Sequence, residues 1–229
     1  MICNQKFLGL ALIAVFAMCA IISSSAFAEQ GELTSSGPVT LTGKDKTGTK
    51  TSLTAFGETT QCETTYTGHK YSVTPHTFVP ARATTITITP TYKNCTTKGL
   101  PTTVTMNGCD YVLHIGETVE PLETGRYEIK ADVICPAGKV IEFHVYLSGA
   151  HSSIACTIKV KEQTELSAGT LQNIAGEKAE LVGPIAGTHA EKEGLCGKET
   201  TTSAQVDLLV EFEGRNEKGE ATGISISDP

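Results

Sequence analysis

The sequence predicts an all-β protein, an antiparallel β-sandwich braced by disulfides. Three observations carry that expectation. About a dozen short segments alternate apolar and polar residues with a period of two, the pattern of half-buried strands. Glycine, proline and asparagine punctuate these segments, and no stretch shows the apolar spacing of an amphipathic helix. Cysteines 62, 95, 109, 135, 156 and 196 form an even set, which in an exported chain reads as three disulfides.

Export is read from the amino terminus. Met1–Lys6 carries one positive charge, Phe7–Ile22 is nearly unbroken apolar sequence, and Ala26-Phe27-Ala28 offers the small residues a signal peptidase needs. Residues 1–28 therefore read as a secretory signal peptide cleaved before Glu29. The apolar run, about 16 residues, is shorter than the roughly 20 of a membrane helix, so no membrane span is expected after cleavage. The expected location is secreted/extracellular or the cell envelope. The chain has 18 basic and 25 acidic residues, a net charge of −7, and loses Lys6 with the signal. No segment concentrates the basic residues, which argues against a nucleic-acid partner.

Residues 29–36 form a polar lead-in, expected to fray, and residues 37–229 the all-β region. Strands are expected at Pro38–Thr42, Thr51–Phe56 and Thr59–Thr67, followed by an irregular connection over Gly68–Ala83 with Pro75 and Pro80. In Thr85–Tyr92, Ile86, Ile88, Pro90 and Tyr92 share one side while four threonines take the other. Threonine's β-branching suits such a pleated, half-solvated face. Thr102–Met106 leads to Asn107-Gly108, which reads as a two-residue type I′ hairpin turn. Beyond it, Cys109–Ile115, Arg126–Cys135, Val140–Leu147 and Ile154–Val160 continue the alternation, with a Pro136–Lys139 turn between the second and third. Leu166–Lys198 is cut by glycines into pieces read as short strands near Thr170–Ile174 and Ala179–Val182, with a helix over Glu177–Val182 as the rival. Ala204–Glu213 and Thr222–Ser227 close the chain. Some 200 residues allow one large sandwich or two smaller packed β units with a sub-boundary near 164–168.

A hairpin at Asn107-Gly108 would put Cys95 and Cys109 at opposite ends of Thr102–Met106. That is about 16 Å apart at roughly 3.3 Å per residue, too far for a bridge that holds Cα atoms within about 7 Å. Strand ends favour Cys62–Cys95 and Cys109–Cys135 instead, which leaves Cys156–Cys196. A zinc site would want close pairs such as Cys-x-x-Cys, and no two of these six cysteines lie that near in sequence.

Catalytic motifs are sparse. His114 and His144 occupy the non-core face of their strands and Glu142 shares a face with His144. These three are the candidate metal ligands, their chemistry suiting zinc or copper. The remaining histidines, His69, His76, His151 and His189, fall in loops without ligand spacing. There is no Gly-x-Ser-x-Gly elbow, no glycine-rich phosphate loop and no free thiol once the disulfides form. Carboxylate pairs for glycoside hydrolysis could arise only from the fold. A sugar-stacking platform is disfavoured, because the chain has no Trp and six Tyr, of which Tyr111 and Tyr127 read as core-facing. Asn94-Cys95-Thr96 matches a glycosylation sequon.

Five motifs taken together, TPTYKNC (Thr89–Cys95), TVTMNGCDY (Thr103–Tyr111), DVICPAGK (Asp132–Lys139), CTIKV (Cys156–Val160) and GRNEKGEATGISIS (Gly214–Ser227), resemble a group of secreted actinobacterial β-rich proteins. The resemblance runs from about Cys62 to Ser227, is poor over Leu166–Gly197, and implies export and a β-rich fold but no activity. The expectation is a non-enzymatic binding or structural module, without a cofactor, whose partner is an extracellular or cell-envelope molecule. The alternatives are a secreted hydrolase with a site assembled only in the fold, and a metal-binding module.

Overall fold

A computed structural model describes residues 30–37, 39–68, 83–119, 125–148 and 153–228. The signal peptide, Pro38, the prolines of the 69–82 connection and His69, His76 and His151 lie outside the described residues. Every regular element among those described is a strand. In chain order they are β1 (Glu32–Ser35), β2 (Thr40–Asp45), β3 (Thr51–Ala55), β4 (Glu58–Gly68), β5 (Thr85–Thr97), β6 (Leu100–Thr105), β7 (Asp110–Thr118) and β8 (Arg126–Ile134). There follow β9 (Ile141–Tyr146), β10 (Ile154–Val160), β11 (Gln163–Ile174), β12 (Lys178–Gly194), β13 (Glu199–Arg215), β14 (Ala221–Thr222) and β15 (Ile224–Ser227).

The registers reduce these strands to a meander. On one edge of β5, Thr96 faces Gln61 of β4. On its other edge Thr96 faces Pro101 of β6 and Ile88 faces Tyr111 of β7. β6 and β7 therefore run in line as one interrupted pass. In the same way β8 and β9 pair with β7 and β6, β10 and β11 pair with β9 and β8, and β2 and β3 share one edge of β13. The passes, in order, are β2/β3, β4, β5, β6/β7, β8/β9, β10/β11, β12 and β13, each antiparallel to the next. Phe212 of β13 faces Gly43 of β2, and Val206 faces Leu53 of β3. The last pass thus pairs with the first, and the sheet closes on itself. The fold is the expected all-β, antiparallel, disulfide-braced architecture, with its sandwich-like layers joined along both sides so that the long strands keep no open edge.

This geometry corrects the reading of Asn107-Gly108. Both residues have positive φ (54° and 84°), and the Cys109 amide donates to Met106 O at 2.9 Å, so the tight turn forms. It does not reverse the chain, because β6 and β7 lie on the same edge of β5. It is a looped-out bulge. A second one, Pro136–Lys139, lies beside it, with Gly108 packed on Pro136 and Asn107 Nδ2 donating to Val140 O at 2.9 Å. Cys95 and Cys109 remain apart along β5, although no hairpin separates them.

Leu166–Lys198 is also corrected. Its pieces belong to β11 and β12, and the helix considered over Glu177–Val182 is the start of β12. Gly169, Gly183 and Gly187 sit inside strands at bulges, whereas Gly176 and Gly197 lie in the turns between strands. Gly169 (φ 76°) and Gly183 (φ 123°) face each other so closely that a Cβ on Gly183 would come 3.0 Å from Gly169 Cα. β11 runs through 164–168, and Leu166 and Ala168 join a buried cluster that extends from Leu33 to Ile226.

The lead-in is ordered rather than frayed. β1 pairs with β15, Leu33 facing Ile226, and the Leu33 and Ala83 backbones exchange hydrogen bonds at 2.8 and 3.0 Å. Asn173 holds both backbone groups of Ile226, each at 2.7 Å. This ribbon buries Leu33, Ile224 and Ile226.

Inside the closed sheet the packing is apolar with an inlay of hydroxyls. Thr60 and Thr97 hydrogen-bond at 2.7 Å, Thr97 and Thr102 at 2.8 Å, and Thr51 and the Tyr66 hydroxyl at 2.8 Å. Tyr92 and Tyr111 hydrogen-bond each other, and burial pushes the ionisation of Tyr66, Tyr92 and Tyr111 upward.

Candidate functional site

A groove of about 360 Å³ lies on the outer face of β4, β2 and β13. Cross-strand register builds it. Thr42 faces Thr67 and Lys44 faces Thr65 across one edge of β2, while Thr42 faces Glu213 and Lys44 faces Glu211 across the other. Between them Gly43 has no side chain, and the Phe212 ring takes that space from within, 2.6 Å from where a Cβ would stand. Phe212 meets Tyr66 edge-on, centroids 6.1 Å apart. The floor is thus formed of threonines, over a stiff aromatic support that packs against Gly43 from the core side.

Charge is asymmetric across the groove. Arg215 donates to Glu213, and Lys178 lies 3.6 Å from the same carboxylate. The hydrogen bond from Arg215 holds Glu213 below the usual carboxylate range against the opposing effect of desolvation. Arg215 is further fixed by donating to Gly219 O at 2.9 Å. Lys44 is exposed and has no ion pair within the described residues. The Thr42 hydroxyl oxygen is covered and has no hydrogen-bond partner among the described residues. The groove therefore offers hydroxyls, one ammonium without an ion pair among the described residues and a buttressed Arg–Glu–Lys cluster, which suits a polar solute held by hydrogen bonds.

Beside the groove, Glu180 is a buried carboxylate. Lys46 Nζ lies 2.5 Å from its Oε1 and Gln172 Nε2 donates to Oε2 at 2.8 Å. The Lys46–Glu180 hydrogen bond, with the coulombic attraction of the same carboxylate, raises the pKa of Lys46. Lys46 sits in the break between β2 and β3, so the cluster ties that break to β11 and β12.

The candidate metal ligands do not converge. His114 Nε2 lies 2.9 Å from Asp132 Oδ2, joining β7 to β8. His144 lies 3.8 Å from Glu142 on its own strand β9 and faces Thr103 of β6, in a different part of the sheet. Among the described residues no group of three or more His, Cys, Asp or Glu is placed to hold a metal ion. The cysteines pair as Cys62–Cys95, Cys109–Cys135 and Cys156–Cys196, with Cα separations of 4.1, 4.1 and 5.4 Å. Tyr111 and Tyr127 are buried, so neither offers an outward face.

The groove itself escapes sequence reasoning, since Leu41-Thr42-Gly43-Lys44 carries no motif. The one usable signal is Gly43, an isolated glycine inside an alternating strand, which marks a close approach. No family model, curated protein or solved structure matches the chain.

Proposed function

We propose that the protein is a non-catalytic binding module of the extracellular space or cell envelope, exported by residues 1–28, whose contact site is the groove over β2, β4 and β13. The observation that carries this reading is the groove's construction. A threonine floor beside Lys44, which has no ion pair among the described residues, lies on a closed sheet whose three disulfides limit its deformation. A site that recognises without reacting needs such a rigid floor, because ordering it on binding then costs little. Oxidised cysteines fit the expected export. The resemblance to secreted actinobacterial β-rich proteins supports the location.

The test is amide NMR of the mature chain titrated with envelope polysaccharide and protein fractions of the producing cell, with mass spectrometry of the added components. Shifts concentrated at residues 42–44 and 65–67, with every component chemically unchanged, are expected. Turnover of a component would overturn the non-catalytic reading, and shifts confined elsewhere would overturn the site.

A further inference from the structure

We infer that the groove takes a segment of an acidic polysaccharide, a chain of hydroxyl-rich rings bearing carboxylates. This rests on the binding-module reading and names its ligand class. The first observation is a grid of threonines that continues beyond the groove. Thr42 faces Thr67 across β2 and β4, and Thr67 faces Thr89 across β4 and β5. In the neighbouring row Lys44 faces Thr65, and Thr65 faces Thr91. Rows stand about 4.8 Å apart between strands and threonines on one strand about 6.7 Å apart, fixed by sheet geometry. An extended polyhydroxyl chain lying across the strands would meet a hydroxyl or ammonium at each one, the Thr89 hydroxyl as an acceptor since it already donates to Asp110.

The second observation is charge. Three cations, Lys44, Lys178 and Arg215, line the groove with two carboxylates, Glu211 and Glu213. That local positive excess lies on a chain of net charge −7. Lys44, the cation without an ion pair in the described structure, stands beside the threonine floor, where a ligand carboxylate would complete its pairing. The Thr42 hydroxyl, covered and without a hydrogen-bond partner among the described residues, would gain one by turning about χ1 toward the ligand. The aromatic rings at the groove, Tyr66 and Phe212, belong to the buried core. Recognition would therefore run through hydrogen bonds and charge and would not need the tryptophan platform that the chain lacks.

The probes are oligomers of galacturonic acid and galactose oligomers of equal length, measured by calorimetry and amide NMR on the mature, disulfide-intact protein. The acidic oligomers should bind at least about tenfold more tightly, the worth of one charge-assisted hydrogen bond. Their affinity should fall with added salt. Lys44→Ala should lose that tenfold margin and Thr42→Val should weaken both series, while Lys130→Ala, remote and exposed, should change neither. Wild-type-like spectra of the variants would confirm folding. Equal affinity for the two series, or an undiminished margin in Lys44→Ala, would overturn the acidic class. If neither series binds while an envelope protein fraction still shifts the groove amides, the glycan inference falls and the binding-module reading stands. If nothing shifts them, both fall.

Discussion

Asp132 accepts the Glu165 amide at 2.8 Å on one oxygen and faces His114 at 2.9 Å on the other, so it links β7, β8 and β11. Desolvation alone would raise its pKa, but these partners outweigh it and the net shift is downward. A carboxylate with a depressed folded pKa contributes stability that is present above its unfolded value and is lost as pH falls through the folded value. The stabilisation should therefore be complete above about pH 4 and disappear below it. Asp132→Asn should flatten the acid limb of a melting-temperature profile while leaving a smaller, Glu213-dependent slope. An unchanged limb would show that Asp132 does not carry it. Tyr127 behaves in the opposite sense. Desolvation, then the hydrogen bond to Asp228, pushes it up to about 12. The raised value means that its contribution is whole below pH 10 and is lost as pH rises toward the folded value. In an alkaline titration followed by phenolate absorbance, Tyr66, Tyr92 and Tyr111 should ionise only when the fold opens.

At the level of elements, the alternation of β5, β7 and β8 was plain in the sequence because one face of each strand is largely apolar and the other is rich in threonine or charge. β12 was not, because its strand continues through glycines that ordinarily end one. Gly169 and Gly183 are bulge residues pressed backbone to backbone, a condition set by the pairing of β11 with β12 and invisible to local pattern. Gly169→Ala should destabilise the fold by about 1–3 kcal/mol, since it adds strain at positive φ and a clash with Val182 O. Gly176→Ala is the control, because it shares the positive φ but meets open space and should cost less. Denaturant midpoints of the two variants decide the order. The threonine groove was hidden for a related reason, because its members come from strands far apart in sequence and meet only through register.

For the whole molecule, the three disulfides each join neighbouring passes or their turns, and each should contribute about 2–4 kcal/mol. Removing the Cys62–Cys95 pair as a double serine variant should lower the midpoint by that order without changing the register of β4 and β5. Loss of amide shifts throughout the sheet would show instead that folding depends on the bridge. The pairing was legible from strand ends even though the turn invoked for it proved to be a bulge, because Cys95 and Cys109 are separated along a strand in either case. Closure was not legible. Nothing in Thr40–Ala55 announces that its partner lies beyond residue 199, and a local pattern cannot distinguish an open sandwich from a closed one.

That closure has a consequence in time. During synthesis from the amino terminus, β2 and β3 emerge early, but the strand that covers their second edge is made only after β4 to β12. Until Gln205–Arg215 arrives, the backbone donors and acceptors of one β2/β3 edge have no partner in the chain. Loop closure over so long a span is slow, and an unpaired edge is a template for wrong partners. The growing chain should thus be most vulnerable to misassociation just before β13 emerges, and truncation within β13 should cost far more than the number of residues removed suggests.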